Sequence, residues 1–329
     1  MAAYTTIDDS SAFFQCTLYT GDGSTTHAIT NGGNSDLQPD MVWIKDRGAA
    51  NWHSITDVVR GHSKAIFPND PAAEDTSNAY VKAFNSDGFT LGSAGSDVNA
   101  NSNTYVSWQW KEQAGVFDIV SYTGNGSART ISHNLGAVPT MMIIKKRNTA
   151  APWSVGHASL AANQVLELNE TDTVATDDTY WNNTRPTSSV FTVGTDGNQN
   201  TDGHTYLIYL FGNKQGVSKM GKYSGNGNAD GTFVYTGFKP RWIMIKGTNI
   251  ARNWGINDTK RSPINQTQDS LYANVADAET GSGNYIDFLS NGFKLRDTAL
   301  TMNGAYNYIY MAFAENPFVT STGVPATAK

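Results

Sequence analysis

The chain has 329 residues, with 31 Gly, 15 Tyr and 8 Trp among them and few stretches of helical character, a composition that points to short strands joined by many turns. Charged residues make up only 16% of the chain and the formal net charge is −6, so no electrostatic footprint for nucleic acid is present. One cysteine, Cys16, excludes an internal disulfide and a Cys-Cys metal spacing, and no apolar run reaches the roughly 18 residues of a membrane span.

From the N-terminus, Met1 to Ser10 is polar and acidic, without a basic segment leading into an apolar one; the chain is therefore expected to be made in the cytoplasm without a secretory signal. Cys16 follows in the apolar run Phe13-Phe14-Gln15-Cys16-Thr17-Leu18 and is expected to be a small buried hydrophobe. Next comes Tyr19-Thr20-Gly21-Asp22-Gly23-Ser24, whose glycines tolerate positive φ and suit a hairpin turn. Pro39 opens the strand Asp40-Met41-Val42-Trp43-Ile44-Lys45, read as buried on both faces with the lysine marking its exit to solvent. Trp52, Phe89 and the strand Tyr105 to Trp108 complete the first set of landmarks.

The same landmarks return twice, in order, at a spacing of about one hundred residues. The tyrosine and glycine triplet recurs at Tyr122 to Ser127 and Tyr223 to Asn228, and the proline-led strand at Pro139 to Lys145 and Pro240 to Lys246. The tryptophan recurs at Trp153 and Trp254, the phenylalanine at Phe191 and Phe293, and the closing strand at Tyr206 and Tyr308. Three tandem antiparallel β-sandwich, jelly-roll-like modules are expected, over residues 1–112, 113–214 and 215–329. Trp52, Trp153 and Trp254 are read as equivalent core residues, each supporting chiefly its own module. Short linkers such as Lys111 to Gly115 and Asn213 to Gly216 keep neighbouring modules in touch. Asn69 to Ser77, Glu170 to Ser189 and Thr267 to Ser282 differ between copies as surface loops do.

Six histidines, at 27, 53, 62, 133, 157 and 204, fall in no metal-ligand or nucleophile pattern, and His133 and His157 read as turn or packing residues. The glycine triplets lack the lysine and following helix of a phosphate loop. Asp196, Asn198, Asn200 and Asp202 alternate like the front half of a calcium loop, with Asn99 equivalent to Asn200, but no distal bidentate glutamate follows. An Asn-rich turn and a calcium site are the two readings of that segment; no other cofactor is expected. Tyr180, Trp181 and Tyr272, read as loop aromatics, either stack on sugar rings or pack against a neighbouring module or subunit. No pair of carboxylates is singled out for acid–base work.

The Ala2-Ala3-Tyr4 start, Gln38 to Arg47, Phe117 to Ser127 and His133-Asn134-Leu135-Gly136 together resemble a repeat module of marine tailed-bacteriophage virion proteins, including cyanophage tail-fibre-like ones. The resemblance covers nearly the whole chain and brings no catalytic residues with it. It implies a non-enzymatic structural protein of the virion, on a tail or surface appendage, binding other virion proteins, copies of itself and a host-surface glycan. A capsid decoration protein is the alternative within that class, and a carbohydrate-active enzyme on a β scaffold the alternative outside it.

Overall fold

The computed structural model describes residues 4–76, 80–92, 95–281 and 283–327, and the chain is all-β. The first repeat supplies β1 (Phe14–Thr20), β2 (Ala28–Thr30), β3 (Met41–Asp46), β4 (Ser54–Asp57), β5 (Val81–Asn85), β6 (Gly88–Leu91) and β7 (Thr104–Trp110). The second supplies β8 (Phe117–Thr123), β9 (Arg129–Ser132), β10 (Met141–Lys146), β11 (Ser154–His157), β12 (Gln164–Glu167), β13 (Ala175–Thr176), α1 (Asp178–Trp181), β14 (Val190–Val193), α2 (Gly197–Asn200) and β15 (Thr205–Phe211). The third supplies β16 (Ser218–Ser224), β17 (Phe233–Tyr235), β18 (Phe238–Gly247), β19 (Gly255–Asp258), β20 (Leu271–Tyr272), β21 (Ile286–Leu289), β22 (Gly292–Leu295) and β23 (Asn307–Pro317).

The larger sheets share one antiparallel order, β1-β7-β3-β4, β8-β15-β10-β11 and β16-β23-β18-β19, extended by β12, β13 and β20. Smaller sheets run β2-β6-β5, β9-β14 and β17-β22-β21. The second repeat therefore lacks the third small-sheet strand, and α1 stands in that stretch of chain.

The proline-led strands carry no polar alternation because both their faces are covered, which agrees with the sequence reading. On β7 and its counterparts the side chains alternate between two cores. Tyr105, Tyr206 and Tyr308 enter separate cores within their own repeats, where they stack on Tyr19, Tyr122 and Tyr223 with centroids 5.1, 5.1 and 5.2 Å apart. Val106, Trp108 and Trp110 face the other way, as do Leu207, Tyr209 and Phe211, and Ile309, Met311 and Phe313; these nine join one core common to all three repeats. At its centre the equivalent residues Trp110, Phe211 and Phe313 touch pairwise, with centroids 6.5, 5.7 and 6.1 Å apart. Three repeats thus surround one pseudo-threefold axis.

Several sequence readings change. The Gly-Asp-Gly and Gly-Asn-Gly triplets do not close hairpins: β1 pairs with β7 while β2 joins a different sheet, so the triplet carries the chain from one sheet to the other. Its first glycine is required by close approach, since a Cβ at Gly21, Gly124 or Gly225 would lie 2.1 Å from a backbone oxygen. Lys45, Lys145 and Lys246 do not exit to solvent but are fully buried. Their ammonium groups donate to carbonyls instead, Lys145 to Pro71 and Ala151, Lys246 to Thr171 and Arg252, Lys45 to Asp46 and Ala49.

Trp52 is 40% exposed, whereas Trp153 and Trp254 are buried. The structural equivalent is His53: the backbone N–H of His53, Trp153 and Trp254 donates to Asn69, Asn169 and Asn274 respectively. Trp153 and Trp254 also belong to the common core, so they support the whole chain rather than their own repeats alone.

Candidate functional site

A further change concerns the divergent segments, which include the seams between repeats. Pro71 and Glu74 of the first repeat lie along the second: Glu74 N–H donates to Arg147 O (2.7 Å) and Ala151 N–H to Pro71 O (2.9 Å). The same lashing joins the second repeat to the third through Val174 N–H and Thr248 O (2.9 Å), and the third to the first through Glu279 N–H and Arg47 O (2.8 Å). Ring nitrogens cross each seam as well: Trp153 Nε1 to Phe67 O, Trp254 Nε1 to Glu167 O and His53 Nε2 to Tyr272 O, at 2.9, 2.9 and 3.0 Å. The cycle closes. Ser77 and Ser282, the ends of two of these segments, lie outside the described residues.

Two seams hold a buried charge network. In one, Asp57 binds Arg60 (2.6 Å), Arg60 and Arg147 share Glu74, and Tyr209 Oη donates to Asp57 (2.8 Å). In the other, Asp258 binds Arg261 (2.5 Å), Arg261 and Arg47 share Glu279, and Trp108 Nε1 donates to Asp258 (3.1 Å). Burial by itself would raise the Asp258 carboxyl, but the Arg261 guanidinium outweighs it and holds the group below its ordinary value. Glu279 is lowered too: burial opposes, and hydrogen bonding from Arg47 with the charge of Arg261 prevails. Cys16, buried as expected, donates its thiol to Asp258 at 3.6 Å; burial and then the Asp258 charge push its pKa well up.

At the third seam every network position has changed together. His157 stands for aspartate, Leu160 for the first arginine, Val174 for glutamate and Thr248 for the second arginine. The residue opposite is Met311, in the place of Tyr209 and Trp108. A thioether has no proton to donate, so a carboxylate there would lose a partner and keep its desolvation cost. Removing all the charges avoids leaving any of them buried alone. Between Leu160, Val174 and Thr248 a cleft of about 440 Å³ remains, with Lys222, Ser224 and Asn307 on its wall.

The sequence-derived site residues fall into three places. Asp196 caps α2 by accepting from Asn198 N–H (2.8 Å), and Asn198 Nδ2 donates to Tyr180 Oη (3.1 Å). Asn200 is fully buried; its Oδ1 accepts from Asn125 N–H and its Nδ2 donates to Ser127 O and Gly194 O. Asn99 and Asn303 make the same bonds to Asp22 and Ser24 and to Asn226 and Asn228, so this is a strut repeated three times. Asp202 is exposed. Among the described residues no three His, Cys, Asp or Glu side chains converge on a metal-sized point.

Tyr180 and Trp181 are not exposed: both are buried on α1 in the core of the second repeat. Trp181 donates to Gln164 O and lies over Gly156, where an added Cβ would sit 3.0 Å from its ring; the other repeats have Thr56 and Asn257 there. Tyr272 is half-buried in the seam, receiving His53 on its carbonyl and Asn284 Nδ2 on its hydroxyl. His133 bonds Thr187 O, and His157 Nδ1 accepts from Ser159 N–H. The network residues were missed by the sequence reading, although Asp57 to Arg60 and Asp258 to Arg261 repeat one Asp-x-x-Arg spacing.

The match of a family model over residues 9–317 places the chain in the DUF7483 family, described as a domain of unknown function. That single model spans all three repeats. Comparison with curated proteins gives no match.

Proposed function

We propose that this is a structural protein of a bacteriophage virion, carried on a tail or other surface appendage, which contributes to host attachment by non-covalent binding. It is built of three antiparallel β-sandwich modules, residues 1–112, 113–214 and 215–329, closed around one axis. Its partners are other virion proteins, copies of itself and a host-surface glycan. The supporting observation is the cyclic seam: the carboxylates of Asp57 and Asp258 and the ring nitrogens of His53, Trp153 and Trp254 each bond a partner across a repeat boundary. That arrangement suits a rigid scaffold whose loops present a surface. The test is immunogold labelling of intact virions with antibody to this chain, together with host adsorption in the presence of purified protein. Label on the tail or an appendage and competitive loss of adsorption are expected. Label confined to the capsid without competition would make it a decoration protein, and absence from virions would overturn the reading.

A further inference from the structure

The cleft at the third seam differs from its two counterparts in a way that bears on ligands. At those counterparts a glutamate lies between two arginines and fills the seam from inside the chain. At the third, Leu160 and Val174 leave an apolar floor, and Thr248 withdraws the second cation. One cation is present nonetheless: Lys222, exposed on β16, stands where the other repeats have Leu18 and Ser121. Among the described residues no carboxylate lines the cleft and none forms an ion pair with Lys222. Ser159 and Asn307 add a hydroxyl and an amide to the same wall.

We infer that this cleft binds a carboxylated saccharide, with the sugar acid on Lys222, in the space that Glu74 and Glu279 and their arginines fill elsewhere. A single ammonium suits one carboxylate; a phosphate group, with its higher charge, favours several cations or a bidentate guanidinium. The hydroxyl and amide groups suit sugar hydroxyls, and the apolar floor suits the C–H face of a pyranose. The choice of a saccharide over a free small acid rests on the attachment reading above; the charge argument does not.

The experiment is isothermal titration calorimetry of the full chain with trigalacturonic acid and with neutral maltotriose, each up to about 5 mM. Saturable binding of the acidic trimer is expected, at least tenfold tighter than maltotriose and weakened by added salt. Lys222→Gln, at an exposed position that leaves the fold intact, is expected to weaken it about tenfold or more. The variant combining His157→Asp, Leu160→Arg, Val174→Glu, Thr248→Arg and Met311→Tyr fills the cleft with the whole network of the other seams and is expected to abolish binding while retaining cooperative melting. No saturable binding of the acidic trimer, equal binding of maltotriose, or unchanged affinity in Lys222→Gln would overturn the site. The two readings fail separately: binding by a protein absent from virions refutes attachment alone, and virion labelling without binding refutes the cleft alone.

Discussion

Trp43 donates its indole N–H to Nδ1 of His53 across 2.9 Å. An indole nitrogen only donates, so Nδ1 of His53 is unprotonated and the ring proton sits on Nε2, which gives it to Tyr272 O of the third repeat. One neutral tautomer thereby links a core tryptophan to the seam. Burial, with Lys45 close by, holds the imidazole pKa well below its ordinary value. In the other repeats Ile143 and Met244 occupy the Trp43 position and a tryptophan spans the seam alone.

His53→Ala leaves the Trp43 N–H without a partner, removes the seam bond to the Tyr272 carbonyl and opens a cavity, so a loss of about 2–4 kcal/mol is expected in urea unfolding. Trp52→Ala, at the neighbouring exposed position, should cost about 1 kcal/mol or less. Trp153→Ala and Trp254→Ala should each cost about 3–5 kcal/mol. Equal effects at positions 52 and 53 would contradict the assigned equivalence.

Acid sensitivity has a defined direction. Burial lowers His157 to about 4 and holds His53 well below its ordinary value. Both are neutral in the folded chain, while an unfolded histidine titrates near 6.5. Stability is therefore full above about pH 6.5 and falls as pH drops from there toward the folded values, by up to roughly 1.4 kcal/mol per pH unit for each histidine. Asp258 and Glu279, also lowered in the fold, extend the loss below about pH 4 as the unfolded carboxylates take up protons. Urea midpoints from pH 8 to pH 4 measure this, and His157→Leu should flatten the upper part of the curve. A midpoint independent of pH between 6.5 and 4 would contradict the buried neutral state.

The seam network should behave as a unit. Asp258→Ala leaves Arg261, whose charge has no access to solvent, with Glu279 as its one carboxylate and takes the acceptor from Trp108 Nε1, and should cost about 3–5 kcal/mol. Copying the third seam onto the first, by Asp57→His, Arg60→Leu, Glu74→Val and Arg147→Thr together with Tyr209→Met, should cost less than Asp57→Ala alone. A double-mutant cycle on Asp57 and Arg60 supplies the coupling. Strictly additive losses would show that the coordinated change at the third seam has no energetic basis.

Asn200→Ala removes a buried strut and should lower the melting temperature whether calcium or a chelator is present, because both amide atoms serve backbone groups. A wild-type midpoint that rises with calcium and falls with chelator would instead establish the Asp196 to Asp202 segment as an ion site.

The repeats and their doubly covered strands were legible because glycine triplets, proline-led strands and paired tyrosines answer to local constraints. Two of the strut asparagines were also visible, as the equivalent pair Asn99 and Asn200 ahead of the closing strands. The seams were not, since they depend on carbonyls more than 70 residues away along the chain. A lysine after four apolar residues reads as a strand leaving the core; for Lys145 and Lys246 one of the two buried acceptors, Pro71 or Thr171, comes from the neighbouring repeat. Trp52 attracted the alignment by identity, whereas counting eight residues from the lysine selects His53, Trp153 and Trp254. Tyr180 and Trp181 sit among Asp, Asn and Thr and read as loop tips, and the space Gly156 leaves for the indole has no sequence neighbour to announce it.

The central claim is that three repeats share one core and fold as one unit, and calorimetry of the full chain tests it most directly. With Trp110, Phe211 and Phe313 meeting on a common axis, no repeat can unfold without exposing the core of the other two. A single heat-absorption peak is predicted, with calorimetric and van't Hoff enthalpies in a ratio near one. Three resolved transitions, or a ratio near three, would show independently folding repeats and contradict the account.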